Sequence, residues 1–249
     1  AKESPLQPFR PPENSSKTLS ATYQRTYHMH GSIGPSAAIA LYDAQVLKVW
    51  THSQGIFPLR LALADVLGLA EDKIQLVRVP GAGCYGHNGA DDVALDAALT
   101  ARAIPGRPIM LKWERADEHA WEPFGSAMQI ELKASLGDKG RVIFWNHETY
   151  SDTHMSRPSV HRENSRLLAA WHLQTPRPAP PVKPSLGYHT GIHRNADPIY
   201  DFSDRRVVKH LVRDLPLRVS ALRSFCLLFT FDAADEGFGL DLGGIRLFK

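Results

Sequence analysis

The residues most able to do chemistry lie in one short run, Gly81-Ala-Gly83-Cys-Tyr-Gly86, followed by His87-Asn88-Gly89. Closely spaced glycines leave backbone N–H groups unobstructed, so such a turn can approach an anion or an oxo ligand; a plain turn needing positive φ is the alternative. The run is a literal G-x-G-x-x-G between a branched stretch and an alanine-rich one, the order a dinucleotide site requires. Pro80 and His87-Asn88-Gly89 delay the helix, however, and Glu114, the acid ending the next strand, falls beyond the usual ~20 residues. NAD therefore stays an alternative reading. No Gly-Lys-Ser/Thr follows, so a P-loop is excluded. Cys84 could serve as a nucleophile, but no His–Asp arrangement surrounds it in the sequence, and a packing role is the stronger reading.

These residues need elements to hold them. Ala37–Leu41 and Val46–Trp50 read as two strands around a turn at Asp43-Ala44, and Gly55–Leu69 carries apolar residues at helical spacing with Gly68 as a stop. Ile74–Val79 reads as a strand, Asp91–Ala103 as a helix, Ile109–Trp113 as a strand and Glu114–Trp121 as a short helix. Ala127–Ser135 and Val142–Tyr150 alternate as strands joined at Gly137-Asp138-Lys139-Gly140. Thr175–Ser185 holds five prolines and predicts an extended, irregular connection. Strand signals return at Arg205–Val212 and Leu217–Leu222. The fold class is α+β: a mixed sheet with packed helices and a long Pro-rich connection. The expected organisation is a polar arm over 1–20, a first segment over 21–150, an irregular connection over 151–200, a further segment over 201–224 and a tail over 225–249.

Composition narrows the classes. Across 249 residues, 43% are apolar and 22% charged, which is ordinary for a folded globular chain. The formal net charge of +3 comes from 29 basic and 26 acidic residues with no basic stripe, which argues against nucleic acid. No apolar run approaches a membrane span. Two cysteines, Cys84 and Cys226, are too few for a disulfide framework or an all-thiolate iron–sulfur cluster, and the twelve histidines form no His-Glu-x-x-His pair.

Longer runs carry more information than the glycine motif. Val49-Trp-Thr-His-Ser-Gln54, a helix, a strand and Pro80-Gly-Ala-Gly-Cys-Tyr-Gly-His-Asn88 follow one another in order. To these add Tyr27-His-Met-His-Gly-Ser-Ile-Gly-Pro35, Arg107-Pro-Ile-Met-Leu-Lys-Trp113, Asp117-Glu-His-Ala-Trp-Glu-Pro123, Ser165-Arg-Leu-Leu-Ala-Ala-Trp171, His193-Arg-Asn195 and Leu217-Arg-Val-Ser-Ala-Leu-Arg223. This ordered set resembles the molybdopterin-binding large subunits of the xanthine dehydrogenase/aldehyde oxidase family, above all the bacterial nicotinate dehydrogenase and isoquinoline 1-oxidoreductase branch.

The resemblance implies a molybdenum hydroxylase that binds molybdopterin and hydroxylates an N-heterocycle or aldehyde with oxygen from water. Electrons would leave through iron–sulfur clusters in a small partner subunit. In the family, a Gln closing a Thr/Ser-x-Gln run approaches the molybdenum oxo ligand, and Gln54 matches it. The family's Gly-Gly-Gly-Phe-Gly loop falls on Gly81 to Gly86, which makes Gly83, Cys84, Tyr85 and Gly86 cofactor-contact candidates. Cys84 stands where Phe is usual, and Tyr85 is placed to supply a ring. Arg223 matches an arginine beside the cofactor, and Asn88 stands where some relatives carry a substrate-contacting acid. After Ser224 the resemblance stops at Phe225-Cys-Leu-Leu-Phe-Thr-Phe231, and the family's Gly-x-Gly-Glu segment, whose Glu is the general base, is not found. The expectation is therefore a fragment that needs the second half of a large subunit. Two alternatives are a non-catalytic remnant or interaction module and a dinucleotide-binding oxidoreductase. The expected compartment is the cytoplasm, with the periplasm as the other option.

Overall fold

Alternating burial builds the central strands. In β3 (Val46–Thr51) Leu47, Val49 and Thr51 are fully buried while their neighbours are partly exposed, as a sheet with one covered face requires. Its partner β2 (Ala37–Asp43) returns through Ala44 and Gln45, both at positive φ, and the Asp43 carboxylate accepts the Ala44 N–H at 2.9 Å. The computed structural model describes residues 7–153, 157–158, 166–177, 181, 183–184, 191–194, 196–213 and 215–222.

One sheet has the order β4-β3-β2-β5, with β4 spanning Ile74–Arg78 and β5 spanning Ile109–Lys112. Pairing is antiparallel except between β3 and β4, which run parallel. Parallel neighbours need a crossover, and α1 (Ile56–Leu67) supplies it. Pro58 is tolerated in its first turn, and Gly68 at φ +63 ends it. Helix α2 (Ala90–Ala103) buries Val93, Leu95, Ala97 and Ala98 completely, and its small side chains bring it close to β2. A short α3 (Arg115–Trp121) opens on a reciprocal capping box between Glu114 and Asp117.

A second sheet has the order β1-β7-β8-β9, formed by Lys17–Arg25, Met128–Leu136, Val142–Ser151 and Arg205–Leu211. Strands β8 and β9 are parallel and the others antiparallel. A small parallel pair joins β6 (Phe124–Gly125) to β10 (Val219–Ser220). Two mixed sheets with packed helices agree with the expected α+β class.

Local differences have physical causes. Strand β1 begins at Lys17, inside the expected polar arm, because an exposed edge strand is held by backbone pairing and shows no apolar alternation. Within the expected irregular connection, Leu167 and Ala170 around the 3-10 turn Leu168–His172 insert into the helix-backed core. The strand expected over Leu217–Leu222 shortens to Val219–Ser220, and much of the Pro-rich connection, together with the 225–249 tail, lies outside the described residues. Among the described residues no helix is long and apolar enough to cross a membrane.

Candidate functional site

The register of the one parallel pair in the first sheet decides where the site forms. Thr51 pairs with Arg78, so the chain leaves β3 and β4 side by side at their C-terminal ends, where ligands of sheets with parallel strands characteristically bind. Gln54 follows β3 and Gly81 follows β4. Both line one cleft of about 580 Å³, together with Gly83, Cys84, His52 and Arg78.

Gln54 is exposed to this cleft while the residues beside it are fixed. The Thr51 hydroxyl accepts the Ser53 N–H at 3.2 Å, and the Ser53 hydroxyl accepts the Gly55 N–H at 3.1 Å and donates to the Asp91 carboxylate. The backbone on either side of Gln54 is thus held by buried serine and threonine oxygens, leaving its amide free to reach a ligand.

The glycine loop is shaped by close approach. A Cβ on Gly81 would lie 2.6 Å from His52, and one on Gly86, at φ +119, would lie 2.0 Å from the Ala221 carbonyl oxygen. Neither position can carry a side chain without moving its neighbour. Gly83, at φ +115, lies beneath the ring of Tyr85, itself at φ +49 and 43% exposed. The amide N–H groups from Gly81 through Gly86 donate no hydrogen bond to any described residue. These unspent donors fit an anion or oxo group.

Cys84 is buried, with its sulfur 2.9 Å from the Gly86 carbonyl oxygen and 3.3 Å from the Asn88 side-chain oxygen. Burial pushes its thiol pKa up, so the thiol keeps its proton at neutral pH and packs the loop rather than acting as a nucleophile. Asn88 is fully buried: its oxygen accepts the Ala90 N–H at 3.1 Å, and its amide donates to the Ser32 hydroxyl at 3.1 Å. These contacts let it shape the loop from within. Arg223 lies outside the described residues.

Behind the cleft runs a buried chain of polar groups that the sequence did not reveal. The His87 ring meets the Ser220 hydroxyl at 2.6 Å through Nδ1 and the Asp91 carboxylate at 2.9 Å through Nε2, while Asp91 also holds Ser53. Burial drives His87 toward its neutral form; the Asp91 carboxylate is held below its usual range by His87, Arg157 and Ser53, which outweigh its own burial. Asp92 receives Arg218 through two hydrogen bonds of 3.1 and 2.8 Å. The only signal was a pair of acids opening an alanine-rich helix, which reads equally as ordinary favourable charge at a helix N-terminus. Asp91 and Asp92 are buried at that N-terminus and paired with Arg157 and Arg218, so the helix end is occupied by carboxylates, which counts against a dinucleotide pyrophosphate there.

Comparison with known proteins agrees with this architecture. The molybdopterin cofactor-binding domain family matches residues 12–171. A nicotinate dehydrogenase subunit of Pseudomonas putida is 37% identical over 194 residues, covering 78% of this chain and 15% of the relative. The beta-subunit of isoquinoline 1-oxidoreductase from Brevundimonas diminuta is 26% identical over 123 residues, covering 49% of this chain and 16% of the relative. In fold, the chain is similar to the aldehyde oxidoreductase of Desulfovibrio gigas, with a TM-score of 0.60 at 18% identity over 91% of this chain and 23% of that one. The chain therefore spans less than a quarter of each of these relatives. With the family pattern running across most of its length and more than a third of the aligned residues shared with one relative, this protein belongs to the molybdopterin cofactor-binding domain family.

Proposed function

We propose that this chain supplies one wall of the molybdopterin site of a molybdenum hydroxylase large subunit, acting on an N-heterocycle or aldehyde. The carrying observation is the convergence of the Gln54 side chain and the Gly81–Gly83 turn on one cleft, with the turn's amides unspent. When bound, molybdopterin supplies the redox chemistry of the hydroxylation. The chain's own part is placement. Gln54 presents an amide that can donate to an oxo group, and the turn presents N–H donors already set in place, so little reorganisation is needed as charge develops. Gly81 and Gly83 let the backbone come close, and the Ser53–Asp91–His87 chain keeps the two walls in register.

The general base, the remaining cofactor contacts and the iron–sulfur clusters are assigned to a second large-subunit half and a small partner subunit. The 15% coverage of the P. putida relative supports that assignment. General base catalysis commonly contributes ~10²- to 10⁴-fold, so the chain alone would turn over substrate very slowly. The proposed compartment is the cytoplasm.

The test is molybdenum and pterin content of the chain purified from a host that makes the cofactor, alone and with the iron–sulfur partner. Retention that falls at least roughly tenfold in Gln54→Ala, as losing a hydrogen bond of ~1.4 kcal/mol requires, is the expected result. Metal-free and pterin-free protein under both conditions would leave a non-catalytic interaction module as the better description.

A further inference from the structure

Two of the ordered runs, 27–35 and 117–123, each bury a titratable side chain that does not line the cleft: His30 at 6% exposure and Glu122 at 2%. The structure brings them together. Glu122 closes α3, and its Oε1 accepts the His30 backbone N–H at 2.8 Å while facing the ring Nδ1 at 3.7 Å. The other ring nitrogen, Nε2, meets the Ala221 carbonyl oxygen at 3.1 Å. A carbonyl oxygen only accepts, so Nε2 carries the proton and donates it.

That carbonyl is the point on which the far end of the glycine loop rests. It also accepts the His87 N–H at 2.7 Å, so both of its lone pairs are used. Gly86 packs against the same oxygen with no room for a Cβ, and it forms a β-bridge with Leu222. Ser220 meets the His87 ring at 2.6 Å through its hydroxyl. Residues 220–222 are therefore the seat of the Gly86–His87 end of the loop. The seat has little support from its own strand, because β10 pairs with β6 over only Val219–Phe124 and Ser220–Gly125. The His30 side chain supplies a further fixed point, and Glu122 fixes His30 through a hydrogen bond to a carboxylate, stronger than one between neutral groups.

We propose that His30, held by Glu122, is a positioning residue for the glycine loop: it sets the Ala221 carbonyl, and the carbonyl sets Gly86 and His87. It touches no ligand. Its importance for cofactor retention rests on the loop being a cofactor wall as argued above, where a misplacement of about 1 Å can cost ~10²-fold.

The experiment is amide hydrogen exchange on the full chain, with pterin retention measured on the same proteins made with the iron–sulfur partner. His30→Phe keeps a ring and removes the donor. It should speed exchange of the His87 amide roughly tenfold, as the loss of a hydrogen bond of ~1.4 kcal/mol requires, while the Leu63 and Leu95 amides in the helices keep their rates. His30→Gln, which retains an N–H donor, should recover part of the protection. Glu122→Gln keeps an oxygen for the His30 N–H but not the charge, and should speed the His87 amide by roughly threefold; it decides the matter if His30→Phe does not fold. Unchanged His87 exchange in these variants, equal acceleration at Leu63 and Leu95, or His30→Gln behaving as His30→Phe would each overturn the positioning role, the second because it marks a loosened fold. Pterin retention separates this inference from the cofactor reading. Selective loss of His87 protection in a chain that never retains pterin keeps the positioning role and removes the cofactor wall, whereas retained pterin with unchanged His87 exchange does the reverse.

Discussion

The two four-stranded sheets fill their interiors in opposite ways. The β4-β3-β2-β5 sheet is covered by α1 and α2, and its core is continuous aliphatic packing in which Leu47, Leu59, Leu63, Val93 and Leu95 have no exposure. The β1-β7-β8-β9 sheet has a small apolar cluster around Met128, Ile130 and Leu132, and buries Asn146, His147, Glu148 and Thr149 along β8. Glu148 there meets Arg206 at 2.6 Å and His210 at 2.8 Å. Dense apolar packing makes a rigid platform, and the cleft is built on it. A polar interior depends on every partner staying in place, and no cofactor-contact candidate within the described residues sits on that sheet.

The most severe way to break the platform is at the loop it carries. Gly86→Ala puts a side chain into the Ala221 carbonyl at a φ that side chains rarely adopt, with an expected cost of about 4 kcal/mol. The His87 N–H, which donates to the Ala221 oxygen at 2.7 Å, should lose its protection in hydrogen exchange. Persistent protection would mean that the loop and β10 are not docked as described.

Next in size is a direct contrast between the two cores. Leu95→Ala in the helix-backed core should cost about 4 kcal/mol and Leu132→Ala in the second sheet about 2 kcal/mol, because a densely packed site cannot relax around the cavity. Equal losses in urea unfolding would erase the distinction between the sheets.

The smallest effects concern pH, and they differ in sign between the regions. Burial outweighs the Trp113 hydrogen bond and raises Asp96 on α2 from 3.8 to about 6. Between those values the folded chain holds a proton that the unfolded chain releases, so stability falls as pH rises through that window. Burial lowers His147 on β8 from 6.5 to about 4. There the unfolded chain takes a proton that the folded chain refuses, and stability falls as pH drops. The two windows overlap and partly cancel in the wild type. Asp96→Asn should remove a burden on the order of 2 kcal/mol at pH 7; His147→Gln should flatten the acid-side loss. Melting temperature against pH would show either slope failing to change.

Much of the first region was legible from the chain alone. Helix α1, helix α2 and strands β2 to β4 announce themselves through 3.6- and 2-residue periodicity, and Gly68 marks its own helix end. The second region was less legible at its edges. Strand β1 is a polar edge held by backbone hydrogen bonds, which carry no side-chain signature. Gln54 and the glycine loop could be named as site candidates from the ordered runs that contain them. His52 lies in the same run as Gln54 but was not singled out there, and Arg78, a strand-end arginine, carries no pattern.

What the sequence by itself determined is the set of local elements and the family to which their order belongs, because periodicity and ordered motifs are properties of the residues in line. Only the tertiary structure decided that β3 and β4 lie parallel in the register Thr51 to Arg78. That pairing is a non-local choice made by packing α1 and α2 on one face of the sheet. It brings Gln54, His52, Arg78 and the glycine turn to one cleft, with Asp91, His87 and Ser220 joined behind it.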